Sequence, residues 1–201
     1  QNILPLKKEK LFKPVPNEKT LEYLLEQPDE HTYHGIRDRA ILELMYSSGL
    51  RNQETRDLKI GDVDLKEGLT RVRYGKGGKG RTVPLGQKAV SFIQKYLLVT
   101  RPKYLRSPDE DCLFLTERGD PLPEGSISEL LSRYKKRSEL TRSITPHTLR
   151  HACALHMLRG GASPSVIQKL LGHKHLSTVQ IYTRLYPKDL EYIHRKCHPR
   201  P

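Results

Sequence analysis

Disulfide-forming cysteines, long apolar runs and acidic charge are all scarce in this 201-residue sequence, and each shortage excludes something. Cys112, Cys153 and Cys197 are odd in number and widely spaced, which argues against a disulfide framework and for a reducing, cytoplasmic compartment. The longest apolar runs fall far short of a membrane span, and no secretory leader is visible. No long basic amphipathic helix with an aromatic face supports a membrane-surface role. There is no internal repeat and no low-complexity tract. Lys and Arg number 36 against 23 Asp and Glu, a formal net charge of +13. A surface with that field favours polyanions, and nucleic acid is the partner it points to. The length fits one domain of ordinary size, or at most two small ones, with a proper core. The chain opens with Gln1 and is read as a fragment of a longer protein.

Along the chain, residues 1–16 are basic and carry Pro5, Pro14 and Pro16, the composition of a linker or extended arm. Asn17 caps a short helix bearing Leu21, Leu24 and Leu25. A stronger helix is expected from about Ile36 to Ser47, with Ala40, Ile41, Leu44 and Met45 at three-and-four spacing and Gly49 as its stop. A brief helix follows through Glu54–Leu58. The period then changes: Val63, 69–74 and 81–84 read as three short strands, the last two joined by the glycine-rich loop Gly75–Gly80. A helix at about Gln87–Thr100, a Pro-rich segment at 102–108, a short strand or turn at Cys112–Leu115 and a Gly/Pro loop at 119–125 come next. Helices are expected at about 126–138, 146–159, 164–171, 175–183 and 188–196. The fold class is α+β, mainly helical, with one small three-stranded antiparallel sheet.

Chemistry-bearing side chains stand at intervals along this frame. Thr145 and Pro146 occupy the cap and first position of a helix, which places His147 and Arg150, three apart, on one face at its positive end. An arginine fork matches phosphate oxygens and stays charged at any working pH. His151, four after His147, could pair with it on zinc, but no third ligand accompanies them, so a supporting role beside Arg150 is the expectation. Acidic residues do not cluster near the histidines, so cationic side chains rather than a carboxylate-held metal would have to stabilise a phosphate. Gly172 stops the next helix and a sharp turn presents His173. Tyr182 lies nine residues on, about 13 Å if helical, so a turn must bring the two to one point. Ten tyrosines make any one a weak nucleophile candidate, and Tyr186 and Tyr192 are rivals close by. Arg51 follows Gly49-Leu50 at a helix junction, where Glu54 could fix its fork. Lys76 sits at the hairpin tip, suited to swinging into a site; Lys79 and Arg81 suit gripping a phosphate backbone, as do Lys135 and Lys136 with Arg133 and Arg137. The Gly75–Gly80 loop lacks the Gly-Lys-Ser/Thr ending of a nucleotide-binding loop, which discounts ATP.

In order and spacing these residues resemble the catalytic domain of the tyrosine recombinase and phage integrase family: Arg51, Lys76 in a β-hairpin, His147-x-x-Arg150, Gly172-His173, then Tyr182. The likeness covers roughly residues 17–196. Leu170-Leu171-Gly172-His173 and Pro146–His151 are especially close to Xer-like and transposon-type members. The resemblance implies that Arg51, Arg150 and His173 hold a scissile DNA phosphate, that Lys76 protonates the departing 5′ oxygen, and that His147 assists proton transfer at the phenol. Tyr182 would form a 3′-phosphotyrosyl bond kept for religation, with no cofactor, metal or ATP. It further implies a catalytic domain at 17–201, an N-terminal core-binding domain ahead of residues 1–16, and a monomer that assembles as a tetramer on double-stranded DNA. Related recombinases exchange a C-terminal helix between protomers, and for the helix expected at 188–196 docking in cis and docking in trans both stay open. Thr55, where leucine is common, and Arg184, where histidine often follows Tyr-Thr, depart from the pattern without touching this chemistry. A type IB topoisomerase-like or telomere-resolving enzyme shares the same residues, and a decayed DNA-binding regulator is the reading from another class.

Overall fold

The computed structural model describes residues 15–73, 80–140 and 143–172. Helix α1 spans Glu18–Leu25, with Asn17 Oδ1 accepting from the Thr20 N–H at 2.8 Å. Helix α2 spans Tyr33–Ser48, beginning three residues earlier than the apolar spacing predicts. The reason is local. Thr32 Oγ1 accepts from the Gly35 N–H and donates to the Asp29 carbonyl, so the helix starts where its first donors find partners, before its first core residue. Gly35 is indispensable to that start, because a Cβ there would lie 1.8 Å from the Asp29 carbonyl oxygen. Gly35→Ala is expected to cost about 3 kcal/mol or more, lowering Tm by roughly 6–12 °C in a calorimetric scan. An unchanged Tm would mean that the turn before α2 rearranges freely.

Helix α2 is the axis of the molecule. It is buried on all sides and packs against α4 (Gln87–Lys95) and α7 (Pro146–Arg159). Ile41, Leu42, Leu44 and Met45 are fully covered and join one contiguous core with Leu21, Leu24, Ile93, Phe114, Leu131 and Leu149. Its buried polar residues are paired. Asp38 accepts from Arg37, from Arg133 Nη2 at 2.5 Å and from the Tyr134 hydroxyl at 2.9 Å, and Arg39 pairs with Glu43. Expected as an arm, Val15 and Pro16 instead pack into this core: Val15 lies against it, and the Pro16 carbonyl meets His156 Nε2, whose Nδ1 meets Tyr46 Oη.

After α3 (Asn52–Arg56), the strands β1 (Val63–Asp64), β2 (Leu69–Val72) and β3 (Arg81–Pro84) form an antiparallel sheet in that order. Val72 pairs with Arg81 and Leu69 with Pro84. The expected strand at 69–74 thus ends at Val72, where Arg73 leaves the ladder and binds Asp62. Helix α4 continues through a π-helical turn, Tyr96–Thr100, into α5 (Arg101–Tyr104), so helix persists into the segment read as Pro-rich loop. Pro102 carries no N–H and would clash in a regular helix; widening the preceding turn, with the Arg101 N–H reaching back to the Tyr96 carbonyl, admits it at the start of α5. The Cys112–Leu115 segment forms single bridges, Lys59 with Cys112 and Leu115 with Pro121. Helices α6 (Ser126–Arg137), α7 and α8 (Pro164–Leu171) complete the described chain within about a residue of expectation. The helices expected at 175–183 and 188–196 lie outside the described residues. Among the described residues no helix is long and apolar enough to cross a membrane.

Candidate active site

One carboxylate organises the site. Glu54 sits in the only turn and a half of α3, nearly buried, with Arg51 as its helix cap. The Arg51 N–H donates to Glu54 Oε2 at 2.9 Å, and Arg51 Nη1 donates to Oε1 at 2.7 Å. Thr55 is fully buried and its hydroxyl donates to the Arg51 carbonyl at 3.0 Å, so the residue at the departure from the family pattern anchors the same turn. From β3, Arg81 grips both oxygens of Glu54, Nη1 to Oε1 and Nη2 to Oε2, each at 2.8 Å. From α7, Arg150 brings Nη1 to 3.9 Å from Oε2. Burial acts to raise the Glu54 pKa, but the hydrogen bonds from Arg81 and from the Arg51 N–H, with the charges behind them, outweigh it and hold the carboxyl at about 2.

Arg150 is buried and braced by backbone: Nη1 donates to the Gly49 carbonyl at 2.6 Å and Nη2 to the Leu171 carbonyl at 2.5 Å. Gly49 can serve because it ends α2 in the left-handed conformation (φ +61°), and a Cβ there would strike Leu171. The carbonyls at the end of α8 are thus bound by arginines, an arrangement the helix dipole favours. At the start of α7, Thr145 Oγ1 accepts from the Thr148 N–H, and Pro146 occupies the first turn. His147 and His151 face each other edge to face with their Nε2 atoms in hydrogen-bond contact. Burial, then the charges of Arg150 and Arg51, hold the His147 imidazole below its usual range, which keeps it neutral and able to accept a proton at pH 7.

Of the residues picked from the sequence, the structure brings together Arg51, Glu54, His147, Arg150 and His151. Lys76, Lys79, His173, Tyr182, Tyr186 and Tyr192 lie outside the described residues. Arg81, expected to grip a nucleic-acid backbone, is placed differently: its side chain is 11% exposed and its fork is closed on Glu54. The alternation of β3 carried the signal, since Arg81 shares a face with the fully buried Val83. Arg133, offered as a phosphate contact, is tied to Asp38 and lies over the Tyr134 ring. Lys136 is exposed and Lys135 partly so, both in the last turn of α6.

Two other features border the site. An open cleft of about 800 Å³ runs from Arg51 and Glu54 past Arg56 and Lys59 to Cys112 and Leu122. At its far end, Glu110, Asp111 and Cys112 hold their ligand-type atoms within 4.8 Å of one another. Lys59 Nζ already lies 2.7 Å from Asp111 Oδ1 and 3.2 Å from Cys112 Sγ, so positive charge is supplied there by an ammonium.

A mainly helical fold in which three arginines approach one carboxylate, beside a histidine held below its usual pKa, defines a site suited to handling anions. Residues 16–189 match the phage integrase family, and the chain belongs to it. The chain is 44% identical over 184 residues to a tyrosine recombinase XerD of Ralstonia nicotianae, covering 92% of this chain and 60% of that protein. The crystal structure of XerA recombinase superposes with a TM-score of 0.83 at 31% identity, covering 98% of this chain and 68% of the other. XerH site-specific recombinase, bound to palindromic difH substrate in a post-cleavage complex, superposes at 0.78 with 26% identity, covering 95% and 56%. The chain spans about three fifths of the length of the XerD relative.

Proposed function

We propose that this chain is the catalytic part of a site-specific DNA recombinase that cuts and rejoins double-stranded DNA through Tyr182. The observation that carries the reading is the convergence of Arg51 and Arg150 on Glu54, with His147 beside them. Two fixed guanidiniums can stabilise charge growing on the non-bridging oxygens of a phosphate, and a neutral imidazole can take the proton of a phenol whose unperturbed pKa is about 10. Lys76 protonates the departing 5′ oxygen and His173 adds a third phosphate contact. The product is a 3′-phosphotyrosyl bond, whose energy is conserved for joining to a second strand. No metal or nucleotide enters the scheme. Pairing two duplexes implies several protomers on DNA, and a homotetramer on paired sites is the assembly we infer. XerD, XerA and XerH being named recombinases supports this assignment.

Covalent capture on a nicked suicide duplex carrying the site found in DNA flanking the gene tests it. Wild-type protein is expected to form a protein–DNA adduct, and Tyr182→Phe to form none. Adduct lost in Tyr186→Phe but kept in Tyr182→Phe would move the nucleophile. No adduct from the whole gene product would favour a DNA-binding regulator.

A further inference from the structure

We propose that Arg81 is a positioning residue for DNA cleavage: by bridging both oxygens of Glu54 it keeps the Arg51 fork open toward the phosphate and fastens the end of α8 to the same point. The inference rests on the recombinase reading above. Its basis is how many donors compete for one carboxylate. Arginine and carboxylate pair best as two parallel hydrogen bonds, and a pair closed that way leaves little of the fork for another anion. Glu54 lies three residues after Arg51 in the same turn, so left alone the two would close on each other. Arg81 takes that geometry instead, at 2.8 Å on each oxygen. Arg51 is left with Nη1 on Oε1 alone, and its side chain remains 30% exposed.

The third donor of Arg81 links this point to the next catalytic segment. Nε donates to the Leu170 carbonyl at 2.8 Å. Gly172, in the left-handed conformation (φ +63°), lies over the guanidinium so closely that a Cβ would sit 3.2 Å from Arg81 Cδ and 3.3 Å from Nε. The end of α8, at Leu170 and Gly172, therefore rests on Arg81. Three of its five N–H groups are engaged and the side chain is 11% exposed, the environment of a brace and not of a solvent-facing DNA contact. Lysine carries its three donors on one nitrogen and cannot lay two parallel hydrogen bonds on the carboxylate from separate atoms.

The test compares wild type, Arg81→Lys and Arg81→Gln in single-turnover adduct formation on the nicked duplex from the gene's flanks, at saturating DNA. Folding is checked by thermal melting, and DNA affinity is measured from 50 to 200 mM salt. A positioning role predicts a cleavage rate lower by about 10- to 100-fold, as expected for a displaced catalytic group. Affinity and its salt dependence stay as in wild type. The acid limb of the rate profile moves to higher pH in Arg81→Gln, because the unbridged Glu54 binds a proton more readily. A wild-type rate at saturation, or a defect confined to affinity with a salt slope shallower by about one, would make Arg81 a phosphate contact and overturn the proposal. Failure of both variants to fold would overturn it in favour of a purely architectural role. No adduct from wild type would overturn the recombinase reading itself, and the proposal with it.

Discussion

Replacing Glu54 with glutamine is expected to lower Tm by roughly 10 °C, a loss of about 3–5 kcal/mol, because it strips the counter-charge from a buried point where arginines converge. Arg51, Arg81 and Arg150 all approach this carboxylate, and Glu54 is itself nearly buried. An amide offers one acceptor oxygen and turns its NH2 toward a guanidinium, so at least one strong bond becomes a repulsion. The effect has a pH signature. In the folded protein the Glu54 carboxyl titrates at about 2, below its ordinary 4.5. A group lowered on folding stabilises fully above its unfolded pKa, and that stabilisation is lost as pH falls from about 4.5 toward 2. The shift corresponds to up to about 3 kcal/mol, less whatever solvent screens through the open Arg51 side. His147, also held below its usual range, works in the same direction: the unfolded chain takes up its proton first as the solution acidifies. Urea denaturation of wild type and Glu54→Gln at pH values from 7 to 3 should show the two stabilities converging in acid. Parallel curves over the whole range would show that Glu54 is not held down by its partners.

Arg150→Ala is expected to act on two readouts at once. Stability should fall by about 3–5 kcal/mol, since the substitution leaves the Gly49 and Leu171 carbonyls buried without their charged donor. Adduct formation should fall by about 10³-fold or more, the order of loss when a preorganised donor to a developing oxyanion is removed. Arg150→Lys should recover part of the stability, because an ammonium reaches one carbonyl, and little of the rate. Calorimetry with single-turnover capture separates these. If Arg150→Ala melted within about 2 °C of wild type, the bracing of α2 against α8 by this side chain would be disproved.

Local rules written in neighbouring residues explain why so much was legible. Thr145-Pro146 announced the start of α7, and Ser163-Pro164 with Gly172 bounded α8. The Arg51–Glu54 pairing was legible for the same reason, being three residues apart in one turn. Partners distant in sequence set what the local pattern did not show. Arg81 looked like a solvent-facing cation because it follows a glycine-rich loop, yet its partner is a carboxylate 27 residues earlier. Arg133 belongs to a basic run, and Asp38, 95 residues away and fully buried, holds one of its nitrogens while the side chain stays largely exposed. The start of α2 was placed too late because apolar spacing marks where a helix meets the core, whereas capping marks where it begins. Pro102 suggested a break, and a wider helical turn accommodated it.

The carboxylate-centred cluster also has a timing. Its members come from positions 51, 54, 81 and 150, and the carbonyl braces that hold them come from 49, 170 and 171. A nascent chain carries Arg51 and Glu54 well before Arg150 and the end of α8 emerge. Until then the first two residues have neither their buried surroundings nor their opposing guanidiniums. Chains ending before Leu171 are therefore left without the carbonyl brace that fixes Arg150 beside Glu54.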